Sequence, residues 1–240
     1  MGNRIYFPSR IQDSTIVPGI DQEIPPRSGS HLLSTTLTNT GIAGYPQEHF
    51  NPWHMQNMDG FPGEFIYDDN YILDLMNNYT TPNGVFGTKA SFDQIVNFLG
   101  LHKLVTLFGK DLKYIFIKRE DKTAQAVSLA IASQTLQFMA DQEKTREAVY
   151  NYYHIWQCLR EINISEKGWT VFFAEYNITP HVVYYRDLVK KHNRTIMNIM
   201  DFLDIKRDRG FNVPAPSIQR QFNHINKEWI EKFETHEQNM

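Results

Sequence analysis

Arg27, Ser28, Gly29, Ser30 and His31 follow Pro25-Pro26 and precede Leu32-Leu33. A turn of this composition opening into a helix offers unpaired backbone N–H groups, a glycine that permits close approach, two hydroxyls and a guanidinium. Together they form a small cradle for an anion. The G-x-x-x-x-G-K-[ST] spacing and its lysine are absent, which disfavours a magnesium-dependent nucleoside triphosphatase or small kinase. Taken alone, Arg-Ser-Gly-Ser is also ordinary loop composition. A second cluster, Lys118-Arg119-Glu120-Asp121, precedes a helical stretch carrying Ser128. There an arginine can grip a phosphate through its fork of donors, with a hydroxyl one or two helical turns inward adding a hydrogen bond. Taken alone, this cluster also reads as a helix cap with solvated charges. Two anion sites on neighbouring strands suit a ligand with phosphates at both ends.

The elements that must position these groups alternate between strand and helix. Tyr114-Ile115-Phe116-Ile117 is a short aromatic and β-branched run of the kind buried on both faces of a parallel sheet. His181 to Tyr185 forms a second such run, and Pro82-Asn83-Gly84 is a turn leading to a short Val85-Phe86 strand. Helices are expected over 30–40, ended by Gly41; over 67–76, with Ile72, Leu75 and Met76 on one side; around Ile95, Phe98 and Leu99; and from a cap at Asp121 through Met139. A further long helix places Val149, Tyr152, Tyr153, Trp156 and Leu159 on one stripe. Another carries Val189, Ile196, Ile199, Met200 and Leu203, and a last one surrounds Trp229 and Phe233. The pattern predicts an α/β fold with three αβα layers around a mainly parallel sheet. Ligands bind such sheets beyond the carboxyl ends of the strands, where both anion clusters fall.

Composition narrows the function further. The chain has 240 residues, with 24 basic against 27 acidic side chains and a formal charge of −3. Such a balance argues against general nucleic-acid binding, so an anion must be bound locally. Hydrophobic residues make up 41% and charged residues 21%, enough apolar material for a substantial core. Cys158 is the only cysteine, so no intramolecular disulfide can form and a reducing compartment is suited. No apolar run approaches a membrane span or a signal peptide, and the expected location is the cytoplasm. One domain over 1–240 is expected, with residues 1–16 open to reading as a flexible arm.

Five ordered pieces, PPRSGSHLL, GIAGYPQEHF, TPNGVFGTK, KREDKTAQAVSLAIASQT and QRQFNHINKEW, resemble the bacterial trehalose 2-sulfotransferase family over about Pro25 to Trp229. The resemblance implies a P-loop-type sulfotransferase fold, use of 3′-phosphoadenosine-5′-phosphosulfate (PAPS), no metal, and a homodimer. Arg27, Ser28, Gly29, Ser30 and His31 would hold the 5′-phosphosulfate, and Arg119 with Ser128 the 3′-phosphate. Tyr185, on the last strand, would lie near the adenine, and the segment from Arg220 to Trp229 would close over the nucleotide. Glu48 would be the general base, with Arg27 stabilising the leaving group, and Tyr45, Gln47 and Lys89 would face the acceptor, a carbohydrate or glycolipid-type molecule. Sulfuryl transfer to a hydroxyl needs those parts: a base for the alcohol proton, in-line placement, and donors for charge developing on the bridging oxygen.

The chain departs from the family in places. His31 stands where Thr is usual, and Tyr45 replaces an acidic residue. The segment 17–24, expected as the first core strand, carries Pro, Gly and two acids. That irregularity motivates an alternative, a noncatalytic nucleotide- or protein-binding descendant. His49 and His54 form no metal set of defined spacing and read as loop residues. The Tyr150 to Trp156 cluster reads as core with an edge available for a dimer contact, and Cys158 as buried and inert.

Overall fold

The computed structural model of the chain describes residues 4–10, 27–51, 69–108, 112–138, 142–216 and 222–240. Its sheet contains β1 (Arg4–Arg10), β2 (Val85–Gly87), β3 (Ala90–Ser91), β4 (Lys113–Lys118) and β5 (His181–Tyr184). The order is β2-β1-β4-β5, with β3 also on β1, and every pairing between these strands is parallel. β1 therefore lies inside the sheet, with Ser9 opposite Ala90 on one side and Phe116 on the other.

β1 is the first described strand. Segment 17–24 lies outside the described residues, and the stretch read as an arm supplies β1. Ile5, Tyr6 and Phe7 give it strand-forming character, although Pro8 has no amide hydrogen to donate.

Helices follow the strands as α/β crossovers require. They are α1 (Ser30–Asn39), α2 (Asp69–Asn78), α3 (Phe92–Gln94) running into a π turn over Ile95–Leu99, and α4 (Leu101–Phe108). Then come α5 (Lys122–Thr135), α6 (Tyr152–Glu175), α7 (Tyr185–Lys190), α8 (His192–Phe202) and α9 (His224–Gln238). Alternation along β4 separates the layers, because successive side chains leave a strand on opposite faces. Tyr114 and Phe116 pack with Trp169, Phe172 and Phe173 of α6 and with Ile72 and Leu75 of α2. Ile115 and Ile117 pack with Leu33 and Leu37 of α1 and Ile196, Ile199 and Met200 of α8. The result is the three-layer αβα arrangement read from the sequence. A third cluster joins α5 (Ala126, Leu129, Ala130), α6 (Ile155, Cys158, Ile162) and α9 (Trp229, Phe233).

Three expectations are corrected in detail. Helix α5 stops at Thr135 rather than Met139, because Leu136 turns left-handed at φ 56°. The stripe expected on α6 is only partly the buried one: Tyr152 is buried and Leu159 packs against the same core cluster, but Val149, Tyr153 and Trp156 are exposed, and Ile155, Cys158 and Ile162 complete the core face. The helix after β5 is broken into α7 and α8, leaving Val189 exposed. No described helix is long and apolar enough to cross a membrane.

Candidate active site

Residue 29 sets the first half of the site. Gly29 caps α1 in the left-handed region at φ 89°, which L side chains rarely adopt, and its carbonyl accepts from Leu33 N at 3.1 Å. A Cβ there would stand 2.5 Å from Cδ2 of Tyr185. The glycine thus lets the turn lie directly on the tyrosine ring. Ser28 and Ser30 are buried, and Ser28 Oγ has no hydrogen-bond partner among the described residues. A buried hydroxyl in that state, beside the first-turn N–H groups of α1, fits an anionic ligand. His31 is exposed at the surface of the same turn.

Arg119 completes that half. It follows β4, whose exit is shaped by Asp121 accepting from Ala124 N at 2.8 Å as the cap of α5. The Arg119 guanidinium donates to the Arg27 carbonyl at 3.2 Å and lies 5.1 Å from the centroid of the Tyr185 ring. Arg27 Nε donates to Ser128 Oγ at 3.0 Å, and Arg27 Nη1 donates to the Phe138 carbonyl. Burial pushes the Arg27 guanidinium down to about 10; neighbouring Arg119 adds to the shift and Tyr185 opposes it. It stays charged at neutral pH. Two cations held this close raise each other's cost of charge, a cost that an incoming anion relieves.

Glu48 and Lys89 make the second half. Gly44, at φ 71°, lets the preceding loop run against β2, where an added Cβ would meet Gly87 N at 2.7 Å. Gln47 then bridges Thr88 in parallel, and Lys89 N donates to Gln47 O at 2.8 Å. This brings Glu48 Oε1 to 3.0 Å from Lys89 Nζ, with side-chain exposures of 16% and 5% respectively. Glu48 Oε2 accepts from Asn51 Nδ2 at 2.9 Å and from Gln94 Nε2 at 3.5 Å. Gln94 is itself fixed by a capping box with Ser91. The carboxylate is therefore oriented from three sides. Lys89 lies in the break between β2 and β3, on the strand position across β1 from β4. β4, which leads into Arg119, and the β2–β3 edge that carries Lys89 flank β1 on its two sides, two strand spacings or about 10 Å apart.

The structure therefore gathers Arg27, Ser28, Gly29, Ser30, Arg119, Ser128 and Tyr185 into one group, and Gln47, Glu48 and Lys89 into a neighbouring one. Tyr45, half-buried, lies on the same loop as Glu48. Two placements differ from expectation. The Arg27 side chain joins Ser128 and Arg119 rather than lying along the turn with Ser28 to His31. Tyr185 stands at the first position of α7, past the strand, and lies on Gly29. Arg220 lies outside the described residues, and Trp229 packs against α5 and α6.

Sequence reasoning missed the two amides on Glu48. Asn51 was within reach of it, three residues along the same loop. Gln94 carried no local signal. His49 lies in the loop, as read, and is fully buried there between the rings of Tyr79 and Phe86; His54 lies outside the described residues. Among the described residues no group of three or more His, Cys, Asp or Glu is placed to hold a metal ion.

Residues 24–236 match the family model described as Stf0 sulphotransferase. The chain is 28% identical, over 245 aligned residues, to a trehalose 2-sulfotransferase of Mycobacterium tuberculosis, covering 86% of this chain and 91% of that protein. A trehalose 2-sulfotransferase of Mycolicibacterium smegmatis matches at the same identity and coverage. Among solved structures, a sulfotransferase from Alicyclobacillus acidocaldarius superposes with a TM-score of 0.53 at 11% identity, covering 98% of this chain and 92% of that one. The sulfotransferase domain from the curacin biosynthetic pathway gives 0.50 at 15% identity and 98% of both chains. These structural likenesses show the fold.

Proposed function

The chain belongs to the Stf0 sulphotransferase family, and from that premise we propose that it moves a sulfuryl group from PAPS to a hydroxyl of a carbohydrate or similar small polar acceptor. The observation that carries this reading is the contact between Arg119 and the Arg27 carbonyl. That contact joins the turn before α1 to the segment after β4, which supports reading the two as parts of one site for a nucleotide with phosphates at both ends.

Arg119, Arg27 and Ser128 would hold the 3′-phosphate, and the first turn of α1 with Ser28 and Ser30 the 5′-phosphosulfate. His31 borders that turn, and Tyr185 offers a ring near the adenine. The donor supplies an activated sulfuryl group. Glu48 takes the acceptor's alcohol proton as the new O–S bond forms and the S–O bond to the 5′-phosphate breaks. Donors at the α1 turn stabilise the charge left on that phosphate oxygen. Lys89, Asn51 and Gln94 hold Glu48 in one orientation, which limits the reorganisation needed at the moment of transfer. Tyr45 and Gln47 border the acceptor side. The names of the mycobacterial relatives make trehalose the first acceptor to try.

The chain would act as one domain and as a homodimer, for which the exposed Val149, Tyr153 and Trp156 offer apolar surface; sedimentation velocity tests the dimer. Calorimetry with 3′,5′-adenosine bisphosphate tests the nucleotide reading. Binding at one molecule per chain is expected, weakened about 10- to 100-fold by Arg119→Met, as loss of charge-assisted hydrogen bonds implies. No binding at millimolar nucleotide ends the reading.

A further inference from the structure

We propose that Glu166, on α6 and outside the nucleotide site, is the positioning residue that sets Arg119; the proposal rests on the nucleotide reading above. Lys118 and Arg119 leave β4 on opposite faces. Arg119 goes to Tyr185 and Arg27, whereas Lys118 joins the Phe116 side, its Nζ 4.9 Å from that ring's centroid. There Glu166 Oε1 stands 2.9 Å from Lys118 Nζ, and Glu166 Oε2 pairs with Lys122 Nζ. Lys118 and Lys122 are the two ends of the turn Lys118-Arg119-Glu120-Asp121-Lys122. One carboxylate thus grips both ends of the segment that carries Arg119.

Its own helix cannot drift easily, because Trp169, Phe172 and Phe173 fix α6 to the sheet a turn further on. The Glu166 side chain is only 16% exposed, which sets this pair apart from solvated ion pairs of little worth. On the solvent side Glu120 pairs with Arg186 at 3.1 Å, but both side chains are widely exposed and hold the turn weakly. The firm grip comes from α6.

Charge and positioning predict opposite signs. As a negative charge near an anion site, Glu166 opposes nucleotide binding, and its removal strengthens the complex. As a clamp, it keeps the turn in the competent arrangement, and its removal weakens the complex by lowering the fraction of chains ready to bind.

The test is calorimetry with 3′,5′-adenosine bisphosphate on the full chain. Glu166→Gln should raise Kd about tenfold while kcat at saturating donor stays within about twofold. Lys122→Met, which keeps the Lys118 pair, should raise Kd by an intermediate factor of about three, and it serves as the readout should Glu166→Gln fail to fold. In an Arg119→Met background Glu166→Gln should change Kd by less than about twofold, since the group it positions is gone. An unchanged or tighter Kd in Glu166→Gln, or an equal loss in both backgrounds, overturns the clamp while leaving the nucleotide reading intact. Absence of binding by the wild-type chain overturns the nucleotide reading instead.

Discussion

Gly29→Ala strikes the close approach of the α1 turn to the Tyr185 ring. The substitution carries two separable costs. The first is conformational: φ is 89° at this position, and an L residue held in the left-handed region costs about 1–2 kcal/mol. The second is steric. The added Cβ would lie 2.5 Å from Tyr185 Cδ2, so the ring must retreat by about 1 Å to reach ordinary contact, an overpacking of about 1–3 kcal/mol. Retreat also draws the ring from beneath Arg119. The sum is about 2–5 kcal/mol, measured as the shift of a urea midpoint at unchanged slope. A Tyr185→Ala background separates the two costs, because there only the backbone strain of about 1–2 kcal/mol should remain. An identical loss in both backgrounds, or a total below about 1 kcal/mol, would refute the packing of Tyr185 on Gly29.

Lys89→Met removes the ammonium from a largely buried carboxylate and should destabilise the chain by about 2–4 kcal/mol, read by the same denaturation; a loss under about 0.5 kcal/mol would place the pair in solvent. Burial raises the Glu166 carboxyl, but hydrogen bonds and charge from Lys122 and Lys118 outweigh it and leave the group below its ordinary value. Its pairs therefore stabilise the fold above the unfolded carboxyl's titration near pH ~4.3, and that contribution is lost as pH falls through the lower folded value. Wild-type Tm should thus fall more steeply than that of Glu166→Gln as pH drops below about 4.5, and parallel curves would contradict the shift. Burial pushes the Cys158 thiol up to about 12, with Glu161 contributing and a backbone hydrogen bond opposing. Native protein should accordingly react with a disulfide reagent only as fast as it unfolds; prompt labelling would contradict that burial.

Much of this arrangement was legible before any coordinates. Tyr114 to Ile117 reads as a doubly covered strand and is one, and the Arg27 turn and the Arg119 cluster, read as two parts of one site, lie in contact. What escaped the sequence depended on partners. β1 contains a proline and reads as a strand only once β2 and β4 flank it. Lys89 resembles any surface lysine until the Gln47–Thr88 bridge brings Glu48 beside it. On α6 the aromatic and apolar residues run around much of the helix, Tyr152 beside Tyr153 and Trp156 close to Ile155. Periodicity therefore could not choose the buried stripe, and packing of α5 and α9 decided it. Tyr185 reads as strand because its neighbours are β-formers, whereas the chain turns into α7 at that residue.

The proposed transfer requires Glu48 to face the sulfuryl group that the arginine cluster and the α1 turn would hold. Transfer of radiolabelled sulfonate from PAPS to a panel of sugars headed by trehalose, run with wild type and Glu48→Gln side by side, tests it most directly. The wild-type chain should label at least one sugar, and Glu48→Gln should label it about 100-fold more slowly or worse while still binding 3′,5′-adenosine bisphosphate within about threefold of wild type. Equal labelling by both proteins would contradict the role given to Glu48, and labelling of no acceptor despite tight nucleotide binding would contradict the activity itself.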